Sequence, residues 1–349
     1  MIKSRTFIAV PPGETIKEQL EERGMTQKEF ACRMDLSEKH ISKLLNGEVH
    51  LTPEVAERLE MVLGVPSRFW NNLEAIYREM EAKANEENAL AEDIETTKLY
   101  PYKKMADNGW VPETTKPEER AKNLRKYFEV SRLCLLKGNL IPGVACRRFS
   151  QKEAADYALI AWAQRAKLIA RDVPTKPINI SKLIKRIPQI RSMTNMEPEI
   201  FSDKLREIMA DCGVALVFLP HLGGSFLHGA TFLDGKKYVV GLTVRGRDAD
   251  RFWFSLFHEL FHVIEGHATK PEGTSEEDER AADAFAANTL IPIQELESFV
   301  QKRDFTKASV LQFAETIGVA PGIVVGRLQK DSYISFSWFN ELKKKYCIV

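Results

Sequence analysis

At 349 residues, with 44% hydrophobic and 28% charged residues, the chain has the composition of a globular protein with room for two or three cores. No apolar run approaches the roughly 20 residues of a membrane span, and the opening MIKSRTFIAVPPGE lacks the features of a signal peptide. The five cysteines are odd in number, scattered and without CxxC spacing, which speaks against a disulfide framework or a cysteine-bound metal and for the reducing cytoplasm. A net charge of +1 hides an asymmetry. Residues 1–80 hold 11 Lys and Arg against 13 acids, residues 81–97 one against six, and residues 98–205 hold 22 against 11. Such contrasts suggest separate segments, the basic one facing a polyanion, an acidic partner or only solvent.

From Thr15 to Tyr77 apolar residues recur at helical spacing between short polar breaks. Thr26 is a good N-cap for QKEFACRM, with Glu29 completing a capping box. Ser37 caps EKHISKLLN, which Gly47 ends, and Thr52-Pro53 opens a fourth helix. A fifth begins at Ser67, and the acidic stretch 81–97 either extends it or forms a linker. Helical patterns continue through 98–140 and 150–172, where Trp110, Tyr127, Phe128 and Trp162 sit at core spacing. Four prolines in 173–200 predict short helices there. The period changes at GVALVFL, a strand, and ATFLDGKKYVVGLT reads as a hairpin turning about Asp234-Gly235. Helical pattern returns near Asp248 and runs almost to the end. Its last part, SVLQFAETIGVAPGIVVGRLQKD, has a helix-turn-helix rhythm read as packing or partner contact. The expected class is mainly α with a small β-sheet (α+β).

Within RFWFSLFHELFHVIEGH, His258 and His262 stand four apart, just over one helical turn, so both imidazoles leave the same face and can share one zinc ion. Glu259 can reach the open position, where a metal-bound water needs a base. The apolar neighbours make burial of this trio costly without a compensating cation. Ser275 to Asp278 reads as a capping box for ERAADAFAANTLIP, which offers Glu279 as third ligand. Asp283, on the same face and opposite the apolar run, is placed to fix a ligand imidazole's tautomer. Glu265, Glu276, Glu277 and His267 are the alternative third ligands. The hairpin is the candidate edge for an extended peptide, and His228 and Tyr238 are candidates to steady an oxyanion.

The hairpin, the HExxH helix and ERAADAFAANTLIP resemble the ImmA/IrrE metallopeptidases, over about residues 205–330. Glu279, Ala282, Phe285, Ala286, Leu290 and Pro292 match that family's second helix; Phe261 stands where glycine is common, and Thr289 where leucine is. The resemblance implies zinc held by His258, His262 and Glu279, with Glu259 as general base.

MTQKEFACRMDLSEKHISKLLNGEVHLTPEVAERLEMVLG has the layout of a helix, a tight turn and a second helix that enters the DNA major groove. Ala31, Leu36, Ile41 and Leu44 face inward. Gln27, Ser37, Lys39, His40, Ser42 and Lys43 are the candidate DNA contacts. The segment, about residues 8–80, resembles the Xre/Cro-type domain and its HigA-like antitoxin branch, though a net charge of −2 over residues 1–80 is unusual for a polyanion binder. Such domains commonly act as dimers. The expected organisation is therefore a helix-turn-helix domain (1–80), an acidic linker or helix extension (81–97), a basic helical region (98–204) and a zincin-like metallopeptidase domain (205–349). The function expected is a homodimeric, operator-binding cytoplasmic regulator with a zinc endopeptidase that cleaves a repressor or antitoxin. Its alternative is an antitoxin or transcription factor, with or without a toxin partner, whose metal domain senses zinc or binds a partner without proteolysis.

Overall fold

The computed structural model describes residues 1–136, 153–222, 229–243, 248–270 and 273–346, with the side chains of 153–156 excepted. The chain divides into two compact units, Met1–Thr96 and Thr97–Val349. Among the described residues no single helix is long and apolar enough to cross a membrane.

The first unit opens with a two-stranded ribbon, β1 (Ile2–Lys3) and β2 (Ile8–Ala9). Five helices follow: α1 (Pro12–Glu22), α2 (Gln27–Arg33), α3 (Glu38–Leu45), α4 (Pro53–Leu63) and α5 (Ser67–Thr97). Their starts are written locally. Thr26, Ser37 and Thr52 each accept the backbone N–H three residues on, which satisfies a donor the helix itself leaves orphaned. Only half of the expected box at Thr26 forms, because the Glu29 carboxylate turns forward to Arg33 at 2.7 Å. Gly47 and Gly64 adopt positive φ after α3 and α4, where a side chain would strain the backbone. Ile16, Phe30, Ala31, Ile41, Leu44, Leu59 and Trp70 form one core. The acidic stretch 81–97 is helix, the continuation of α5, and Glu87 on it accepts from the Thr6 amide at 3.0 Å and hydroxyl at 2.8 Å.

The second unit contains α6 (Tyr102–Asp107), α7 (Pro117–Phe128), α8 (Glu153–Arg171), α9 (Ile180–Ser192) and α10 (Pro198–Asp211) before its sheet. Then come β3 (Val214–Leu219), β4 (Gly229–Asp234) and β5 (Lys237–Thr243). The closing helices are α11 (Ala249–Ile264), α12 (Glu276–Leu290), α13 (Ile293–Gln301), α14 (Lys307–Ile317) and α15 (Pro321–Lys330). Strand order is β3-β5-β4, with β5 parallel to β3 and antiparallel to β4, so β4 lies at the sheet edge. The hairpin turns one residue later than its sequence suggests. Asp234 pairs with Lys237, leaving Gly235 and Lys236 as the loop, and positive φ at Gly235 alone is the II′ pattern. Pro188 lies inside α9, which still runs 13 residues.

Because strand side chains alternate, the sheet serves two cores. Leu216, Val240 and Leu242 face α10 and α11, in a core that also takes Phe313, Val319, Val324 and Leu328 from the C-terminal helices. Ala215, Val217, Phe232 and Val239 face the other way, onto Tyr127, Phe128, Trp162 and Trp110. Residues 98–204, whose charge marks them as a separate region in the sequence, therefore fold with 205–349 in one unit. Among the described residues, α7 and α8 pack on one face of the sheet and α9 and α10 join the core on the other.

Helix α8 makes a testable close approach to the sheet. A Cβ built on Gly241 of β5 would stand 2.6 Å from Trp162 Cη2 and 2.9 Å from its Cζ3. Both rings and strand are fully enclosed, so neither can yield freely. Gly241→Ala is expected to destabilise the second unit by about 2 kcal/mol, seen as a lower urea midpoint with unchanged slope. A midpoint equal to the parent's would show that α8 does not sit on the sheet as described.

Candidate metal centre and nucleic-acid interface

The HExxH helix, α11, is apolar on nearly all sides: Phe252, Trp253, Leu256, Phe257, Leu260 and Val263 are buried. Trp253 Nε1 donates to Tyr346 Oη at 2.9 Å and anchors the C-terminal segment to it. Helix α12 begins with the full capping box at Ser275 and Asp278, and four acids in its first turn suit the positive end of the helix dipole. Its Glu279 shares the buried face with Ala282, Ala286 and Leu290, which packs on α11, rather than lying opposite it.

This packing brings the ligating atoms of His258, His262 and Glu279 within 4.8 Å of one another. His258 Nε2 and His262 Nε2 are 3.1 Å apart, and the Glu279 oxygens stand 3.3 and 3.5 Å from them. Glu279 is 5% exposed, and neither of its oxygens has a hydrogen-bond partner of good geometry. Two imidazole nitrogens and an orphaned buried carboxylate converging on one point form a donor set that could hold a divalent metal ion. His258 Nδ1 lies 2.9 Å from Asp283 Oδ1, the tautomer-fixing contact expected for it. Glu265, Glu276 and Glu277 are exposed, and His267, though buried, stands behind His262 with the two Nδ1 atoms 2.8 Å apart.

Glu259 is 4% exposed and lies outside the converging group, its carboxylate held at the start of β4. Its Oε2 accepts from Thr231 Oγ1 at 2.7 Å, and a Cβ on Gly229 would meet its Cγ and Oε1 at 2.7 Å. Burial pushes its pKa up to about 7, against the opposing pull of His258 and the Thr231 hydroxyl. Thr231 and Gly229 are the site residues that sequence reasoning missed. The only signal was their place at the first end of the hairpin. A cavity of about 700 Å³ opens over the cluster, lined among others by Phe254, His258, Glu259, Glu279, Ile323 and Lys330.

Tyr238 does not belong to this site. It pairs with Leu233 at the turn end of the hairpin, four residues along β5 from Leu242, the partner of Gly229. At 3.3–3.4 Å per residue that is roughly 13 Å, and its ring is buried in the core beside α10 and α11. His228 lies outside the described residues.

In the first unit, α2 and α3 cross as a helix-turn-helix pair, and Arg58 holds the turn by donating to the carbonyls of Met34 at 2.9 Å and Asp35 at 3.0 Å. Gln27, Lys39 and Lys43 are exposed, and neither lysine forms an ion pair among the described residues. The Ser37 hydroxyl is engaged as N-cap, accepting from the His40 amide at 3.1 Å, and His40 and Ser42 are half-buried.

The carboxylates around His258 yield a pH signature. Burial alone would lower its pKa, but the contacts with the Asp283 and Glu279 carboxylates and the charge of Glu259 outweigh it, and without metal the pKa is pushed up to about 10. A folded-state pKa raised above the unfolded value of about 6.5 adds stability that is complete below 6.5 and is lost as pH climbs through 10. In chelator-treated protein the destabilisation caused by His258→Asn should therefore be greatest near pH 6 and shrink toward pH 10 in urea titrations. Growth of the effect with pH would contradict this pairing.

Known proteins fit both halves of this description. Residues 16–70 match the family model for the helix-turn-helix, and residues 213–329 match that for the IrrE N-terminal-like domain, a peptidase-class family. The chain is 38% identical over 72 residues to YddM of Escherichia coli strain K12, an uncharacterized HTH-type transcriptional regulator, a match covering 21% of this chain and 77% of that protein. The chain thus belongs to the HTH-type transcriptional regulators, with an Xre-like DNA-binding domain toward its N-terminus fused to an IrrE-like, metallopeptidase-type domain toward its C-terminus.

Proposed function

We propose that this regulator is a zinc-dependent endopeptidase that cuts a regulatory protein, such as a repressor or antitoxin, and that its first unit binds operator DNA as a homodimer. The observation that carries the peptidase reading is the separation of roles inside one buried cluster. His258, His262 and Glu279 converge, while Glu259, next in sequence to a ligand, is tied by Thr231 to the sheet edge. A metal with a purely structural role has no use for such a carboxylate.

His258, His262 and Glu279 would hold the zinc, which when bound supplies a Lewis acid and lowers the pKa of a coordinated water. Glu259, with its proton affinity raised by burial, accepts the proton of the attacking water and returns it to the leaving amine. Thr231 keeps that carboxylate turned toward the start of β4. The edge of β4 offers backbone groups to which an extended peptide can add as a further strand, and this would lay its scissile bond beside Glu259. The apolar walls of the cavity exclude water from the side chains that flank that bond.

In the DNA-binding unit, α3 would enter the major groove with Lys39 and Lys43 directed at the duplex. Gln27 would reach a phosphate from the first turn of α2, and Ser37, His40 and Ser42 would line the approach.

Two experiments test these readings. His258→Ala, His262→Ala and Glu279→Ala are each expected to strip zinc, measured by elemental analysis. Glu259→Gln should keep it and lose cleavage of a quenched-fluorescence peptide library by about 100-fold or more. Undiminished cleavage by that variant would remove the peptidase mechanism and leave a metal sensor. For DNA, Lys39→Ala with Lys43→Ala should abolish specific retardation of the chain's own promoter fragment, and each lost phosphate contact should flatten the salt dependence by about one unit. Binding equal to the parent's would show that α3 is not the reading helix.

A further inference from the structure

His267 comes five residues after the second histidine of the HExxH pair, on the loop that leaves α11. It lies outside the converging group, yet it is 5% exposed and held on two sides. Its Nδ1 stands 2.8 Å from His262 Nδ1, and its Nε2 stands 3.3 Å from Asp278 Oδ1. Asp278 is itself immobilised. Lys270 Nζ reaches both its oxygens at 2.9 Å, and the Ser275 amide donates to it at 2.9 Å in the box that starts α12.

The placement of protons along this chain follows from the metal end. His262 Nε2 faces His258 and Glu279, so it is the atom that would give its lone pair to a metal. A neutral imidazole ligating through Nε2 carries its proton on Nδ1. His262 Nδ1–H then donates to His267 Nδ1, which must bear a lone pair. His267 in turn carries its proton on Nε2, the nitrogen facing Asp278. Every donor in the row meets an acceptor, and reversing any one link leaves two N–H groups, or two lone pairs, opposed in a buried site.

We propose that His267 is a positioning residue of the metal centre, an imidazole placed between a carboxylate and a ligand imidazole that selects the metal-binding tautomer of His262. This rests on the metal-centre reading above and extends it. The two ligand histidines are then supported differently, His258 by Asp283 directly and His262 by Asp278 through His267. The arrangement also gives Phe261 a purpose where the resembling family commonly has glycine. Its ring lies 5.7 Å from that of His267 and 5.2 Å from that of Phe285, walling the row from solvent between α11 and α12.

Zinc affinity, measured on the full chain by competition with a chelator of known strength, provides the test. His267→Phe keeps a ring of similar shape but has no acceptor, and is expected to weaken zinc binding roughly 10- to 100-fold. His267→Asn places Oδ1 where Nδ1 was and should stay within about threefold of the parent. A Phe variant that binds as tightly as the parent overturns the proposal. So does an Asn variant that falls as far as the Phe variant, since that pattern reports packing alone. A second measurement needs no variant: long-range ¹H–¹⁵N spectra of the zinc-loaded parent should show His262 protonated at Nδ1 and His267 at Nε2. A His267 protonated at Nδ1 would refute the assignment. A parent chain that takes up no zinc would sink the metal centre itself, and this inference with it.

Discussion

Three ionisable side chains, Glu259, His262 and Glu279, lie almost wholly out of water where α11 meets α12 and the sheet, in largely apolar surroundings. Moving a carboxylate from water into such surroundings costs several kcal/mol unless a cation or good hydrogen bonds compensate. For Glu279 the described residues supply no hydrogen bond of good geometry, and its oxygens face the two imidazole nitrogens. The rest of the second unit is arranged around that requirement. Helix α12 must lie against α11 closely enough to deliver the carboxylate, and the small residues Ala282 and Ala286 on its packed face permit the approach. The capping box at Ser275 fixes where α12 begins, and with it the position of Glu279 four residues later.

The sheet supplies the other fixed boundary. The place of Glu259 is set by β4, through a hydroxyl at Thr231 and through the missing side chain at Gly229. Strand β4 in turn is held by β5, and β5 is pressed from behind by Trp162 at Gly241. The helices of the basic region thus reach the candidate site indirectly, by setting the plane of the sheet whose edge carries the base. Two glycines with ordinary backbone angles are required here for closeness, not for turning.

The first unit is built on different terms. Helices α2, α3 and α4 are short and each start carries its own side-chain cap, and the core of the unit is a single cluster around Phe30, Ile41 and Trp70. Several of its acids lie in local pairs, such as Glu29 with Arg33, Glu54 with Arg58 and Glu74 with Arg78. Lys39 and Lys43 lie outside these pairs, exposed on α3 with Glu38 beside them. A negative total is therefore compatible with a duplex-facing positive surface, because binding responds to local charge and not to the sum.

Much of this was legible in the amino-acid sequence, for a physical reason: caps, helical period and the four-residue histidine spacing are local, encoded within one or two turns. They set the five helices of the first unit, the pairing of His258 with His262, and the capping box that precedes Glu279. What the sequence could not decide were relations between segments far apart along the chain. The charge of residues 98–204 suggests a separate region, but Trp110, Tyr127, Phe128 and Trp162 find their partners on the far face of the sheet. Tyr238 looked available to the site by nearness in sequence, and strand register carries it to the opposite end of the hairpin. Thr231 and His267 carry no motif of their own. Their parts depend on distances of 2.7 and 2.8 Å to Glu259 and His262, which exist only once strand, helix and loop have packed together.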